Sequence, residues 1–158
     1  MVESPRRGRR MWWLLLLLIP LGWAVLAMPS WRRPELGVVN GQLRRCPSSP
    51  NCVCSEGETD EHAIDPLRFN GSPEAAWKHL IAVIEATPNA RVISQEQDYL
   101  RVEFVTPLMR YVDDVEFRLT PEVIHVRSAS RVGHSDLGAN RTRVESLRAA
   151  FEQASSKP

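Results

Sequence analysis

From residue 91 to residue 128 apolar and polar side chains alternate with a period of two. In YLRVEFV, Leu100, Val102 and Phe104 share one face while Arg101 and Glu103 take the other. In YVDDVEFRL, Val115, Phe117 and Leu119 face one way, opposite Asp114, Glu116 and Arg118. In VIHVRS, Ile124 and Val126 alternate with His125 and Arg127. With a shorter run at 91–94, this pattern predicts about four antiparallel strands with one face packed and one wet. The mixed charges of the wet face read as solvated cross-strand pairs.

On either side of this block the period becomes helical. Ser72-Pro73-Glu74 is a helix start, with a capping serine, proline in the first turn and an acid at the positive end. Ala76, Trp77, Leu80, Ile81, Val83 and Ile84 form a broad apolar stripe that ends at Thr87-Pro88. His79 lies off that stripe and is expected at the surface. A second helix is predicted over 141–153, capped by Asn140 and burying Val144, Leu147, Ala150 and Phe151. The expected fold is α+β, an antiparallel sheet of about four strands with two helices packed on one face. An N-terminal transmembrane helix is expected to precede it.

That last expectation rests on residues 1–28. Residues 1–10 carry Arg6, Arg7, Arg9 and Arg10, and residues 11–28 are an apolar run, with Trp12, Trp13, Trp23 and Trp31 near its ends. The order fits a single membrane anchor with aromatic rings at headgroup level; a cleaved export signal ending near Ala27 is the alternative. Both keep the arginines inside and export the rest. The expected location is the cytoplasmic membrane of a bacterium, with a single pass and the C-terminal domain in the periplasm. Residues 29–45 read as a tether, 46–153 as one α+β domain and 154–158 as a tail. A chain of 158 residues with net charge +1 suffices for a single modest core and gives no electrostatic case for nucleic-acid binding.

The three cysteines lie together in CPSSPNCVC: Cys46, Cys52 and Cys54. In an exported chain the default is a disulfide, and the prolines between Cys46 and Cys52 favour a turn that joins those two. Closing so short a loop stabilises by about 2 kcal/mol in the chain-entropy model. The alternatives are free thiols, or a metal site that adds His62, although the spacing is not that of a standard zinc site.

Asp113 has the parity of Val115 and Phe117, so its carboxylate points at the core. It therefore sits at the strand end, pairs with a cation or is neutral. Arg131, Arg141 and Arg143 are candidate partners. They belong to SRVGHSDLGANRTR, residues 130–143, a polar, glycine-containing loop between strand and helix of the kind that presents backbone and charge to ligands. Arg141 and Arg143 lie where the helix dipole disfavours cations, which implies nearby negative charge: a bound anion, or Asp113 or Asp136.

With these residues identified, the chain resembles the domain of unknown function 1499 family. The resemblance rests on CPSSPNCV (46–53), DEHAIDPL (60–67), DDVEF (113–117) and SRVGHSDLGANRTRVE (130–145). It implies an exported domain with no agreed activity. It marks Cys46, Cys52, Asp113, Asp114, Arg131, Asp136, Asn140 and Arg141. It supports the Cys46–Cys52 pair, and Cys54, where that motif usually continues with serine, makes a three-cysteine metal site a poorer reading.

The expected function is a non-catalytic binding or accessory module. Its site would comprise Asp113, Arg131, Asp136, Asn140, Arg141 and Arg143, engaging an anionic small molecule or a protein partner. The alternative is a small hydrolase or transferase with His62 or His134 and Asp136 as base and Ser135 as nucleophile. No nucleophile elbow or phosphate loop supports it, and no cofactor or metal is expected. Neighbours in sequence do not by themselves make a triad.

Overall fold

A computed structural model describes residues 28–58 and 60–155. In chain order the strands before the first helix are β1 (Val38–Val39), β2 (Gln42–Leu43), β3 (Cys52–Cys54) and β4 (Leu67–Arg68). Helix α1 (Pro73–Ala86) follows, then β5 (Ala90–Gln95), β6 (Tyr99–Val105), β7 (Val112–Leu119), β8 (Val123–Ser130) and helix α2 (Ala139–Ser155). Strands β5 to β8 form an antiparallel meander in sequence order, and β3 and β4 both pair antiparallel with β8 at the far edge.

This corrects the expected sheet of about four strands. Among the described residues the main sheet has six, and β1 and β2 form a separate two-stranded ribbon. The missed strands are only two or three residues long. That is too short for a period to register, and their extended form comes from pairing partners remote in the chain. The expected transmembrane helix falls on residues 11–28. Among the described residues no helix is long and apolar enough to cross a membrane, and residues 1–27 lie outside them.

Both helices cover one face of the sheet. Trp77, Leu80 and Ile84 of α1 and Val144, Leu147 and Phe151 of α2 pack on Leu100, Val102, Val115, Phe117, Ile124 and Val126. Each such side chain stabilises by roughly 1.5–3 kcal/mol when fully buried. Ser72 caps α1 as its sequence requires, its Oγ accepting from the Ala75 N–H at 3.2 Å. His79 is not a bare surface residue. It is half-buried, its Nε2 lies 2.9 Å from the Phe151 carbonyl oxygen, and its ring centroid lies 5.0 Å from that of Phe151 with the planes tilted by 51°.

The second face of the sheet is not wet. Glu116 is fully buried there and Asp114 is 2% exposed. The cover is the segment expected as a tether: the Gly37 N–H donates to Glu116 Oε1 at 2.9 Å, and Arg33 Nε donates to Glu103 Oε1 at 2.7 Å. Glu116 also accepts from the Tyr99 hydroxyl at 2.8 Å and from Arg127 at 3.1 Å. Glu56 accepts from the Leu43 N–H at 2.8 Å and, through its two oxygens, from Nε and Nη2 of Arg118. The protein therefore has an apolar layer under the helices and an ionic layer under the N-terminal segment. Buried charges of this kind persist because they are paired and hydrogen-bonded.

Candidate functional site

At the C-terminal end of β8 the chain enters the polar loop, and each charged group is tied down. Arg131 turns to the ionic face. Its Nε donates to Asp114 Oδ2 at 2.6 Å, its Nη2 to Glu103 Oε1 at 2.6 Å, and its Nη1 to the Ser30 carbonyl at 3.0 Å. Burial works against the arginine's charge, but Asp114 and Glu103 outweigh it and hold its pKa above the ordinary value. Burial likewise pushes Glu103 up, and the hydrogen bonds from Arg33 and Arg131 more than reverse it.

Asp113 has the parity read from sequence and faces the helices. Its partner is Arg143, whose Nη2 donates to Asp113 Oδ2. Arg143 Nη1 donates to Asn140 Oδ1 at 2.7 Å and Ser128 Oγ at 3.1 Å, and its guanidinium lies 5.0 Å from the centroid of the Phe104 ring. Arg141 points away from both and donates to the carbonyls of Glu61 at 2.7 Å and Ala63 at 2.8 Å. The negative groups that answer the two cations of the first helical turn are thus one carboxylate and two peptide oxygens.

Asp136, not Asn140, caps α2. Its Oδ1 accepts from the Gly138 N–H at 3.1 Å and its Oδ2 from the Asn140 N–H at 2.7 Å. Asn140 lies inside the helix and is 1% exposed. Its Nδ2 donates to the Asn51 carbonyl at 2.8 Å, Ser130 Oγ at 3.0 Å and Asp136 Oδ2 at 2.7 Å. The cap needs the reversed backbone of Leu137 (φ 54°) and Gly138 (φ 82°), and glycine supplies the second without strain.

Asn51, like Glu103 and Ser128, is a participant that sequence reasoning missed. It is 3% exposed, and its Nδ2 donates to the Gly133 carbonyl at 2.6 Å while its own carbonyl accepts from the Ser130 N–H at 3.0 Å. It immediately precedes Cys52, and Cys46 and Cys52 are joined in a disulfide with Cα atoms 5.6 Å apart. The bridged turn thus holds Asn51 against the loop. Its place inside CPSSPNCV was the available signal. Cys54 is a buried free thiol, and burial pushes its pKa up to about 11.

Beside the loop lies a cleft of about 350 Å³. Asp113, Asp136, Ser130, Ser135, Thr106 and Tyr111 line it, so acceptors and hydroxyls face it and no arginine does. The groups suggested for catalysis are not assembled. His134 is exposed and makes no hydrogen bond among the described residues, and Ser135 Oγ accepts from the Leu137 N–H at 3.3 Å. His62 Nδ1 lies 3.0 Å from the Cys52 carbonyl oxygen, and His62 does not line the cleft. Among the described residues no group of His, Cys, Asp and Glu is arranged to hold a metal ion.

The fold and its internally paired loop define a two-layer α+β domain with a disulfide-braced corner. Residues 42–151 match the model of the family described as protein of unknown function (DUF1499), and the chain belongs to that family. A search of curated proteins finds no match. Cys46, Cys52, Asp113, Asp114, Arg131, Asp136, Asn140 and Arg141, marked by the resemblance, all hold the disulfide turn, the loop and the sheet end together.

Proposed function

We propose that this is a non-catalytic accessory domain that engages a protein partner through the 130–143 loop and the cleft beside it. The observation that carries the reading is Leu137. It is 97% exposed, in the left-handed region at φ 54°, at the tip of a loop whose charged side chains are otherwise consumed internally. A β-unbranched apolar residue held in that conformation by its surroundings is an exposed knob on a preorganised support. The neighbouring cleft offers acceptors to a donor group of the partner. The partner version is favoured over an anionic small molecule because Arg131, Arg141 and Arg143 all have intramolecular partners.

In this reading the domain works outside the bacterial cytoplasm, on the periplasmic side of the cytoplasmic membrane. The Cys46–Cys52 disulfide and the basic-then-apolar order of residues 1–28 support that location. The test is a photo-crosslinking amino acid at position 137 of the full-length protein in cells. A discrete adduct is expected, absent when the probe is moved to the exposed turn residue Glu122. Leu137→Asp with unchanged melting temperature should abolish co-purification of the adduct's partner. Crosslinking no different from the Glu122 control would overturn the proposal.

A further inference from the structure

On the other side of the sheet, a cleft of about 500 Å³ opens between the N-terminal segment and strands β5 to β7. Trp31, Arg33, Arg91, Glu103, Arg110 and Arg131 line it, over a floor of Val105 and Val112. Its charges do not balance internally. Arg131 is spent on Asp114 and Glu103, and Arg33 gives its Nε to Glu103 while remaining half-exposed. Arg91 and Arg110 are exposed, and their guanidiniums make no hydrogen bond or ion pair among the described residues. This contrasts with the 130–143 loop, where every arginine is answered.

Arg110 is also held in a costly conformation. Its φ is 55°, its N–H donates to the Thr106 carbonyl at 3.0 Å, and its carbonyl accepts from Trp31 Nε1 at 3.2 Å. Left-handed backbone at a long non-glycine residue persists only where the surroundings enforce it. Here the Trp31 contact closes the wall of the cleft and puts the free guanidinium on its rim.

We propose that this cleft binds a phosphate ester. The two unpaired guanidiniums match a group carrying about −1.5 to −2 charges, and arginine engages phosphate oxygens in a planar, two-point fashion. The cleft is larger than a phosphate alone, and the Trp31 face with Val105 and Val112 provides apolar surface for the attached carbon skeleton. The phosphate could come from a lipid headgroup or from a soluble ester, and the recognition chemistry is the same.

The experiment is calorimetric titration of the full-length protein with sn-glycerol 3-phosphate and, separately, with dihexanoyl phosphatidic acid, a lipid with the same phosphomonoester, below its micelle-forming concentration. Saturable binding of at least one is expected. Arg91→Gln with Arg110→Gln should weaken it by roughly tenfold or more, the loss of at least one charge-assisted contact, at unchanged melting temperature. Partition of the lipid into detergent is common to both proteins and cancels in that comparison. Arg141→Gln, on the opposite side of the sheet, should leave binding intact. Equal affinity for the two ligands identifies a soluble ester. Tighter binding of the lipid, reduced to the glycerol phosphate level by Trp31→Ala, identifies a lipid. No saturable binding of either ligand, or binding unchanged in the double variant, overturns the proposal.

Discussion

Asp113 and Asp114 are neighbours in the chain, yet their carboxylates serve opposite faces of the sheet. Asp113 is bound by Arg143 on the helix side and Asp114 by Arg131 on the ionic side. Alternation along β7 makes this unavoidable, since successive side chains of a strand point oppositely. The consequence is that one dipeptide fastens both ends of the 130–143 loop, one arginine before its turn and one after. The loop's geometry therefore belongs to the sheet, and a binding surface built on it is preorganised.

Removing Arg131 should be the most damaging single change in the loop. Arg131→Met leaves Asp114 and Glu103 buried with fewer donors, and breaking a buried pair from one side costs roughly 3–5 kcal/mol. Arg141→Ala, which gives up exposed bonds to two carbonyls, should cost under about 1 kcal/mol. Urea unfolding of the two variants checks the contrast, and equal losses would show that the ionic layer contributes nothing special.

The long strands and both helices were legible because each repeats its period several times. Leu100, Val102 and Phe104 announce a strand, whereas Leu67-Arg68 contains no repeat to announce. The charged positions of β6 and β7 misled for a related reason. Glu103, Asp114 and Glu116 give the same alternation whether water or protein covers them, and the cover comes from Gly37 and Arg33, about seventy or more residues away. At the loop, parity located Asp113 correctly. It could not choose among Arg131, Arg141 and Arg143, because the choice depends on where α2 starts, and Asp136 starts it earlier than Asn140 would.

Thiol chemistry should separate the three cysteines. In denatured, unreduced protein a maleimide should modify Cys54 alone, because Cys46 and Cys52 are bridged. In the native protein at pH 7 even Cys54 should resist, being 1% exposed with its pKa pushed up to about 11 by burial. Reduction should lower stability by about 2 kcal/mol, the closure term for so short a loop. Rapid native labelling of Cys54 would contradict its position under β2 and Tyr99.

Stability should rise from acid to neutral pH for two separable reasons. Burial pushes His125 down, with Arg118 adding to it and Glu56 opposing. The unfolded chain then binds more protons between the folded value and the ordinary ~6.5, so stability falls as pH drops through that window. Glu56 and Glu103 are held below the ordinary ~4.3 by their arginines against burial, so their contribution is present above that value and lost as pH falls further. The melting temperature should therefore decline in two stages between pH 7 and pH 3. His125→Gln should remove the upper stage only; loss of the lower stage in that variant would assign the acid sensitivity wrongly.

The Asp113–Arg143 pair distinguishes an internal counter-ion from a bound one at the start of α2. Arg143 also serves Asn140, Ser128 and the Phe104 ring, so Arg143→Ala removes several contacts, whereas Asp113→Asn removes chiefly the charge. Asp113→Asn and Arg143→Ala should each destabilise, and the double variant should lose less than their sum, with a coupling of roughly 1–3 kcal/mol. The coupling should be the same in phosphate and chloride at matched ionic strength, because the counter-ion is part of the chain. Any rise in melting temperature caused by phosphate should survive in Arg143→Ala, since the arginines free to meet an anion, Arg91 and Arg110, lie across the sheet. A phosphate effect that disappears with Arg143 while the Asp113 coupling vanishes would return the anion site to the head of α2.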